Sequence, residues 1–221
     1  MPRTPPYALL FDLDGTLVDS LDLILTCFRH AFRTHVGTVP PDEELIAGIG
    51  TPLVAQLSEF VSDTAMRDAM VSTYRSYQLE HHDRLIRHFD GARETLQLLH
   101  QRGHAMAIVT SKAELLAERA LEFAGLAELM DAVIGVESCD RHKPHPEPVH
   151  VALRALDART HDAIFVGDSP HDITSGNAAG VITVAALWGP FTRATLEAAR
   201  PAHVIEHIRE LPELVSNLSA A

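Results

Sequence analysis

The sequence is poor in cysteine, tryptophan and lysine, and it has no long hydrophobic run. Its 221 residues include two cysteines, one tryptophan and two lysines. Cys27 and Cys139 are too few for a disulfide framework and have no partner at a metal-ligand spacing, so we expect a reducing compartment. No apolar stretch is long enough to cross a membrane, and no signal segment follows Met1. We therefore expect a cytoplasmic protein that does not associate with membranes.

The chain also lacks a net positive charge. Eighteen Lys and Arg residues against 30 Asp and Glu residues give a formal net charge of -12. An acidic surface repels nucleic acid and anionic lipid, so we expect neither as a partner. It also repels a phosphate ester, so a phosphate site on this chain needs local positive charge or a metal ion. Hydrophobic residues make up 46% of the chain, enough for one large domain or a domain with a modest insert.

Short apolar runs alternate with helical patterns over most of the chain. The run at residues 7–11 predicts a buried parallel strand. After residue 88, further strands are predicted at residues 105–109, 132–136, 163–166, 181–185 and 203–205, with a helical pattern before or between them. This alternation predicts right-handed crossovers and a parallel, Rossmann-like α/β sheet.

Residues 18–87 interrupt the alternation with helical patterns alone. Asp42 and Thr51 are expected to be the N-caps of two short helices, and Asp63 the N-cap of a longer one. No strand pattern is evident in this stretch.

We therefore predict two domains. Residues 1–17 and 88–221 would form the α/β core, and residues 18–87 a small all-helical domain inserted after the first strand. Ligands of open α/β sheets bind beyond the carboxyl ends of the strands. The insert would lie directly above such a site, in the position of a lid that excludes water.

The first strand ends in two aspartates, Asp12 and Asp14, followed by Gly15. Two carboxylates this close repel each other, so the arrangement needs a cation or a shared proton. Gly15 permits a sharp backbone turn. An acidic surface turn would have the same short pattern. The residues at the other strand ends therefore distinguish a binding site from an ordinary turn.

Two later segments carry residues suited to binding a phosphoryl group. The strand at residues 105–109 leads into Thr110 and Ser111, whose hydroxyls and backbone N–H groups can bind phosphoryl oxygens. An ordinary helix N-cap explains these two residues equally well. Lys143, one of only two lysines, lies in a proline-rich loop. Its compact ammonium group can neutralise a carboxylate and a phosphoryl oxygen together.

The strand at residues 163–166 leads to Asp168 and, one helical turn on, Asp172. Acidic residues are also common at helix N-termini because of the helix dipole. Together with Asp12 and Asp14 they contribute four negative charges against the single positive charge of Lys143. A phosphate could enter only with a divalent cation, and oxygen ligands with water and phosphate favour Mg²⁺.

In combination, these residues resemble the four motifs of the haloacid dehalogenase-like (HAD) hydrolases, most of which are phosphatases. The motifs occur in the order of that family and comprise Asp12-x-Asp14, Thr110, Lys143 and Gly167-Asp168-x-x-x-Asp172. The resemblance extends over nearly the whole chain, and the helical insert stands where that family has its cap domain.

The resemblance implies a catalytic role for each residue. Asp12 would be the nucleophile that forms an aspartyl-phosphate. Asp14 would be the general acid that protonates the leaving oxygen and then the general base that activates water. Thr110, Ser111 and Lys143 would bind the phosphoryl oxygens.

The resemblance also implies a metal site. Mg²⁺ would be bound by the Asp12 carboxylate, the Asp14 backbone carbonyl, Asp168 and water. Asp172 would support the site by orienting Lys143 or a metal-bound water.

Finer details are similar to phosphoglycolate phosphatases and their pyrophosphatase relatives, namely residues 48–53, residues 143–148 and Trp188-Gly189. Ser111 departs from the asparagine that many relatives have. The resemblance implies a Mg²⁺-dependent phosphatase for a small phosphate ester, and we expect a monomer or homodimer.

Other functions would need other residues. A true dehalogenase needs neither Asp14 nor Mg²⁺, and a phosphonate-cleaving relative needs a lysine in the cap, where this chain has none. An inorganic pyrophosphatase and a sugar-phosphate mutase stay open. A mutase would need basic residues near the cap loop, for which Arg84 and Arg87 are the candidates. A phospho-acceptor regulatory or binding protein is the alternative of another class, but such proteins lack a partner like Asp14.

Overall fold

The first apolar run lies at the centre of a six-stranded parallel sheet in a computed structural model that describes residues 7–220. The strands are β1 (Ala8–Phe11), β2 (Val18–Asp19), β3 (Arg87–His88), β4 (Met106–Val109), β5 (Ala132–Ile134), β6 (Ala163–Gly167), β7 (Ile182–Ala186) and β8 (His203–Ile205). The order across the large sheet is β5-β4-β1-β6-β7-β8, and every neighbouring pair is parallel. The predicted Rossmann-like α/β sheet is confirmed.

Ten α-helices accompany the strands within the described residues. They are α1 (Leu21–His35), α2 (Asp42–Ala47), α3 (Leu53–Phe60), α4 (Thr64–Leu85), α5 (Ala92–Gln101), α6 (Glu114–Ala124), α7 (Glu147–Ala155), α8 (Pro170–Ala179), α9 (Arg193–Ala198) and α10 (Leu211–Ala220). None of the helices in residues 7–220 is long and apolar enough to span a bilayer.

Both faces of the sheet are covered, which explains why the central strands are apolar throughout. Alternate side chains of β1 enter different clusters: Leu9 and Phe11 pack with residues of α5, α6 and α10, and Leu10 packs with residues of α7 and α8. Because β1 pairs with β4 on one side and β6 on the other, the residues that follow these three strands lie next to one another.

The helices α1, α3 and α4 have a hydrophobic cluster of their own. Leu23, Phe28, Leu57 and Met70 belong to it, and so does Leu45 of α2. The chain enters this group of helices through β2 and leaves it through β3. These two strands form a short antiparallel ribbon, in which Val18 pairs with His88. The expectation of an all-helical insert was therefore wrong at its two ends, since two-residue strands carry no sequence pattern. The division into two domains stays a prediction.

Two of the three predicted N-caps in the insert were wrong. Asp42 is the first residue of α2, and its carboxylate accepts a hydrogen bond from the Arg29 guanidinium, which competes with a capping geometry. The Thr51 hydroxyl donates to the Gly48 carbonyl, and the helix begins only at Leu53. Asp63 does cap α4, accepting from the Met66 N–H at 2.7 Å.

Candidate active site

Three of the predicted site residues follow the central strands directly. Asp12 follows β1, Thr110 follows β4 and Asp168 follows β6, and all three are buried. The hydrogen bonds of the sheet continue into Asp12 and Thr110. The Asp12 N–H donates to the Val166 carbonyl at 2.9 Å, and the Thr110 N–H donates to the Ile134 carbonyl at 2.9 Å. The predicted meeting of strand ends is thus present, with backbone positions fixed by the sheet.

Lys143 reaches this point from the loop between β5 and α7. Its Nζ lies 2.9 Å from Asp12 Oδ1 and 2.6 Å from Asp172 Oδ1, and it donates to the Val109 carbonyl at 3.2 Å. Its side chain is 1% exposed. Burial would lower the pKa of Lys143, but the charges of Asp12 and Asp172 overcome burial and hold that pKa above its ordinary value. The lysine therefore stays a cation.

One cation does not balance the buried carboxylates around it. Burial, followed by the charge of Asp172, raises the pKa of Asp12 to about 7 in spite of the contact with Lys143. Burial and the charge of Asp12 raise the pKa of Asp168 well above its ordinary value. Both shifts mean that the ionised cluster needs more positive charge than Lys143 supplies.

The geometry of the cluster fits a metal ion. Carboxylate oxygens of Asp12, Asp168 and Asp172 lie within 4.8 Å of one another. Asp168 Oδ1 accepts from the Thr16 hydroxyl at 2.6 Å, whereas Oδ2 is buried without a hydrogen-bond partner among residues 7–220. A buried carboxylate oxygen without a partner is costly unless a cation binds it. Oxygen ligands of this kind suit Mg²⁺.

Two glycines keep the space beside Asp168 open. A Cβ at Gly15 would lie 2.4 Å from Asp168 Oδ2, and a Cβ at Gly189 would lie at the same distance from that atom. Gly15 also has a φ of +83°, which side chains rarely adopt. Any larger residue at either position would displace the Asp168 carboxylate.

Asp172 is oriented by the start of its own helix. The Ser169 N–H and hydroxyl both donate to Asp172 Oδ2, at 3.0 and 2.6 Å, and this leaves Oδ1 for Lys143. The contact with Lys143 agrees with the predicted supporting role. The structure adds that an Asp172 oxygen also lies close enough to Asp12 and Asp168 to approach the same cation.

The Asp14 side chain is held apart from the three-carboxylate cluster. Lys112 Nζ donates to both Asp14 oxygens, at 2.8 and 2.9 Å, and the Ser20 hydroxyl donates to Oδ1 at 2.6 Å. Burial would raise the pKa of Asp14, but the Lys112 charge and hydrogen bonds outweigh burial and lower it. Lys112 was not predicted as a site residue, although its being one of only two lysines was a usable signal.

The hydroxyls of Thr110 and Ser111 have different surroundings. Thr110 Oγ1 accepts from the Lys112 N–H at 3.2 Å, so its own hydrogen is free to be donated. The Ser111 hydroxyl donates to the Gly50 carbonyl of the helical insert at 2.7 Å. Phosphate binding by Thr110 and by Ser111 stays a prediction, and for Ser111 it would compete with this contact.

A cavity of about 110 Å³ lies between the strand ends and the insert. The sheet side is lined by Asp12, Asp14, Thr110, Ser111 and Lys112, and the insert contributes residues of α1, α3 and α4. Neither Arg84 nor Arg87 lines it; the Arg87 guanidinium donates to the Arg84 and Ile86 carbonyls, and the arginine in the lining is Arg75. The volume suits a small substrate.

We expect Lys112→Met to lower kcat about 10- to 100-fold, because the Asp14 carboxylate loses two charge-assisted hydrogen bonds that orient it. Affinity for Mg²⁺, measured by calorimetry, should be unchanged, since Lys112 contacts Asp14 and not the three-carboxylate cluster. Lys112→Arg should retain part of the activity. An unchanged kcat in Lys112→Met would contradict a functional role for this contact.

The chain is similar to known proteins over most of its length. Residues 9–186 match the family described as haloacid dehalogenase-like hydrolase. A protein from Bacillus cereus named pyrophosphatase PpaX is 35% identical over 210 residues, which cover 95% of this chain and 96% of that protein.

Solved structures have the same fold. A protein from Bacteroides fragilis described as a haloacid dehalogenase-like hydrolase is 26% identical, with a TM-score of 0.87 over 93% of this chain and 99% of that one. A predicted phosphoglycolate phosphatase from Haemophilus somnus is 23% identical, with a TM-score of 0.85 over 96% and 98% of the two chains.

Proposed function

Because the chain belongs to the haloacid dehalogenase-like hydrolases and is a phosphatase of that family, we propose that it hydrolyses a small phosphate ester with Mg²⁺ bound, through an aspartyl-phosphate on Asp12. The observation that carries this proposal is the buried cluster in which Asp12 contacts Lys143 while Asp168 Oδ2 has no hydrogen-bond partner in residues 7–220. That cluster has a nucleophile, a cation and an oxygen-rich place for a second cation.

Asp12 is suited to attack phosphorus because its backbone is fixed by the sheet and its carboxylate is fixed by Lys143. Attack forms the bond from a carboxylate oxygen to phosphorus and releases the leaving group. The Lys143 ammonium group would stay beside the transferred phosphoryl group and offset its charge, and the Thr110 hydroxyl would donate to a phosphoryl oxygen.

Asp14 would move protons at the leaving-group side of Asp12. Its lowered pKa keeps it ionised, so it would first take up a proton from solvent or substrate and pass that proton to the leaving oxygen. As a carboxylate it would then take a proton from water in the second step. Lys112 and Ser20 hold the carboxylate at the boundary between sheet and insert. A carboxyl group on a flexible turn without such contacts would be poorly placed for either transfer.

Asp12, Asp168 and the Asp14 backbone carbonyl would hold Mg²⁺, and Asp172 would stay the partner of Lys143. When bound, the ion supplies positive charge that neutralises the phosphoryl oxygens and the carboxylates. Thr16 and the two glycines at positions 15 and 189 would keep Asp168 in place for it.

The helical insert would act as a cap over the reaction. Several contacts tie it to the sheet side. The Ser111 hydroxyl donates to the Gly50 carbonyl, and Arg119 donates to the Leu79 carbonyl at 3.0 Å and to the Asp83 carboxylate at 3.1 Å. A cap in this position keeps bulk water from the aspartyl-phosphate and admits small substrates only.

Phosphate release from a panel of substrates tests the proposal. The panel comprises 2-phosphoglycolate, pyrophosphate and hexose phosphates, each with and without Mg²⁺. The relatives named pyrophosphatase favour pyrophosphate as the second candidate substrate. We expect Mg²⁺-dependent release from a small member of the panel. No release from any member by folded protein that binds Mg²⁺ would overturn the proposal in favour of a mutase or a phospho-regulated binding protein.

We expect Mg²⁺ to raise the melting temperature of the protein and Asp168→Asn to remove that rise. A ligand present at 100 times its dissociation constant stabilises the folded state by about 2.7 kcal/mol. The metal-free variant should be at least as stable as the wild type, because burial disfavours the Asp168 charge. An equal Mg²⁺-induced shift in both proteins would show that Asp168 does not bind the ion.

A further inference from the structure

The wall that the insert contributes to the cavity has both apolar and polar side chains. Its apolar members are Ile24, Phe28, Ile49, Pro52, Leu53 and Val54. Its polar members are Thr51, Gln56, Tyr74, Arg75 and Gln78. Two of these are already engaged, since Gln56 donates to the Leu45 carbonyl and Thr51 to the Gly48 carbonyl. The side chains of Arg75 and Gln78 on α4 make no such hydrogen bond within residues 7–220. Because they are spaced i and i+3, they share one face of the helix.

Gln78 is a nearly buried residue that lines the cavity, with 4% of its surface exposed. Within the part of the chain that the structure describes, its side chain makes no hydrogen bond, but its amide atoms are not among the fully buried atoms that lack a partner. The amide therefore keeps contact with the cavity, where it is open to a hydrogen bond from outside the protein. A ligand in the cavity would supply the missing partner.

Arg75 is an exposed cation at the edge of the cavity, with no carboxylate partner among the described residues. Lys143 is paired with Asp12 and Asp172, and Lys112 with Asp14. Within residues 7–220, no Asp or Glu oxygen lies within 4.0 Å of the Arg75 guanidinium. Arg75 is therefore the positive charge of the cavity lining that the protein leaves unmatched, in a chain whose net charge is -12.

We propose that Arg75 and Gln78 form the leaving-group subsite and select a leaving group that carries its own negative charge. The inference rests on the proposed function, which places the phosphoryl group at Asp12, Thr110 and Lys143. The other end of the substrate then faces the insert. There the guanidinium can bind a carboxylate or phosphate oxygen in a forked geometry, and the amide can donate a further hydrogen bond.

A matched pair of esters tests the subsite. 2-Phosphoglycolate has an anionic leaving group, and 2-hydroxyethyl phosphate replaces the carboxylate with a neutral alcohol. We expect Arg75→Met to lower kcat/KM for 2-phosphoglycolate about 10- to 100-fold and to leave kcat/KM for 2-hydroxyethyl phosphate unchanged. In Arg75→Met, kcat/KM for pyrophosphate should fall as it does for 2-phosphoglycolate, because its leaving group is also an anion. Gln78→Leu should act in the same direction with a smaller effect.

Arg84→Met is the control, because Arg84 is exposed on the same helix, as Arg75 is, but does not line the cavity. It should leave all three substrates unaffected. Equal losses for both esters in Arg75→Met, or no loss, would overturn the subsite while leaving the proposed function in place. Hydrolysis of none of the three substrates by the wild type would overturn the proposed function and the subsite with it.

Discussion

Replacing Asp12 with asparagine is expected to abolish phosphate release, with a loss of about 10⁴-fold or more, while the protein stays folded. The amide has nearly the same shape as the carboxylate, but it cannot form the bond to phosphorus. Folding should not suffer, since burial and the charge of Asp172 already disfavour the ionised form of Asp12. Steady-state phosphate release and thermal unfolding of the same preparation would measure both effects.

Asp22→Asn is a matched control for this variant, because Asp22 is exposed in the first turn of α1. It makes the same chemical change outside the site and should leave turnover unaffected. Turnover at the wild-type rate in Asp12→Asn would remove Asp12 from the mechanism. Loss of folded structure in Asp12→Asn would contradict the account of the charge balance around Lys143.

Replacing Lys143 with methionine is expected to destabilise the metal-free protein by about 3–5 kcal/mol and to abolish activity. The change leaves Asp12 and Asp172 buried together without the ammonium group between them. Asp172 would also keep the two hydrogen bonds from Ser169 that hold it in place, so it cannot turn away freely. Chemical denaturation of metal-free protein measures the loss.

An exposed ion pair gives the control for Lys143. Arg209 Nη2 lies 2.9 Å from Asp90 Oδ1, but the two side chains are 57% and 80% exposed. Exposed pairs contribute about 0–1 kcal/mol, so Arg209→Met should change stability little. A second variant, Lys143→Met with Asp172→Asn, should recover part of the lost stability without recovering activity. Equal stability of Lys143→Met and wild type would contradict the charge balance proposed for the cluster.

The sheet and the residues at its strand ends were predictable because they depend on short-range patterns. Apolar runs bounded by turn residues indicate parallel strands, and parallel strands bring their carboxyl ends to one edge. Asp12, Thr110 and Asp168 follow from that rule, and the structure places them side by side. Lys143 lies in a loop whose path no local pattern gives, and its position followed from the family resemblance.

What could not be predicted depends on contacts between distant segments. The pair of Lys112 and Asp14 joins residues 98 positions apart, and only the folded chain shows it. Each strand of the β2–β3 ribbon is two residues long, too short to show the alternation of apolar and polar residues that identifies a strand. Helix α10 was not predicted, because its apolar face consists of few residues, including Leu211 and Val215, whose burial depends on the core beneath it.

The central claim is that the phosphoryl group is transferred to Asp12, and trapping that intermediate tests it most directly. Protein quenched in acid during turnover would be digested and examined by mass spectrometry. The account predicts a phosphorylated peptide containing Asp12 in the wild type and none in Asp12→Asn. With a substrate whose leaving group needs no proton, it predicts more of that peptide in Asp14→Asn, where the base for the second step is lost. Sustained turnover with no phosphoryl group on Asp12, in the wild type and in Asp14→Asn alike, would contradict it.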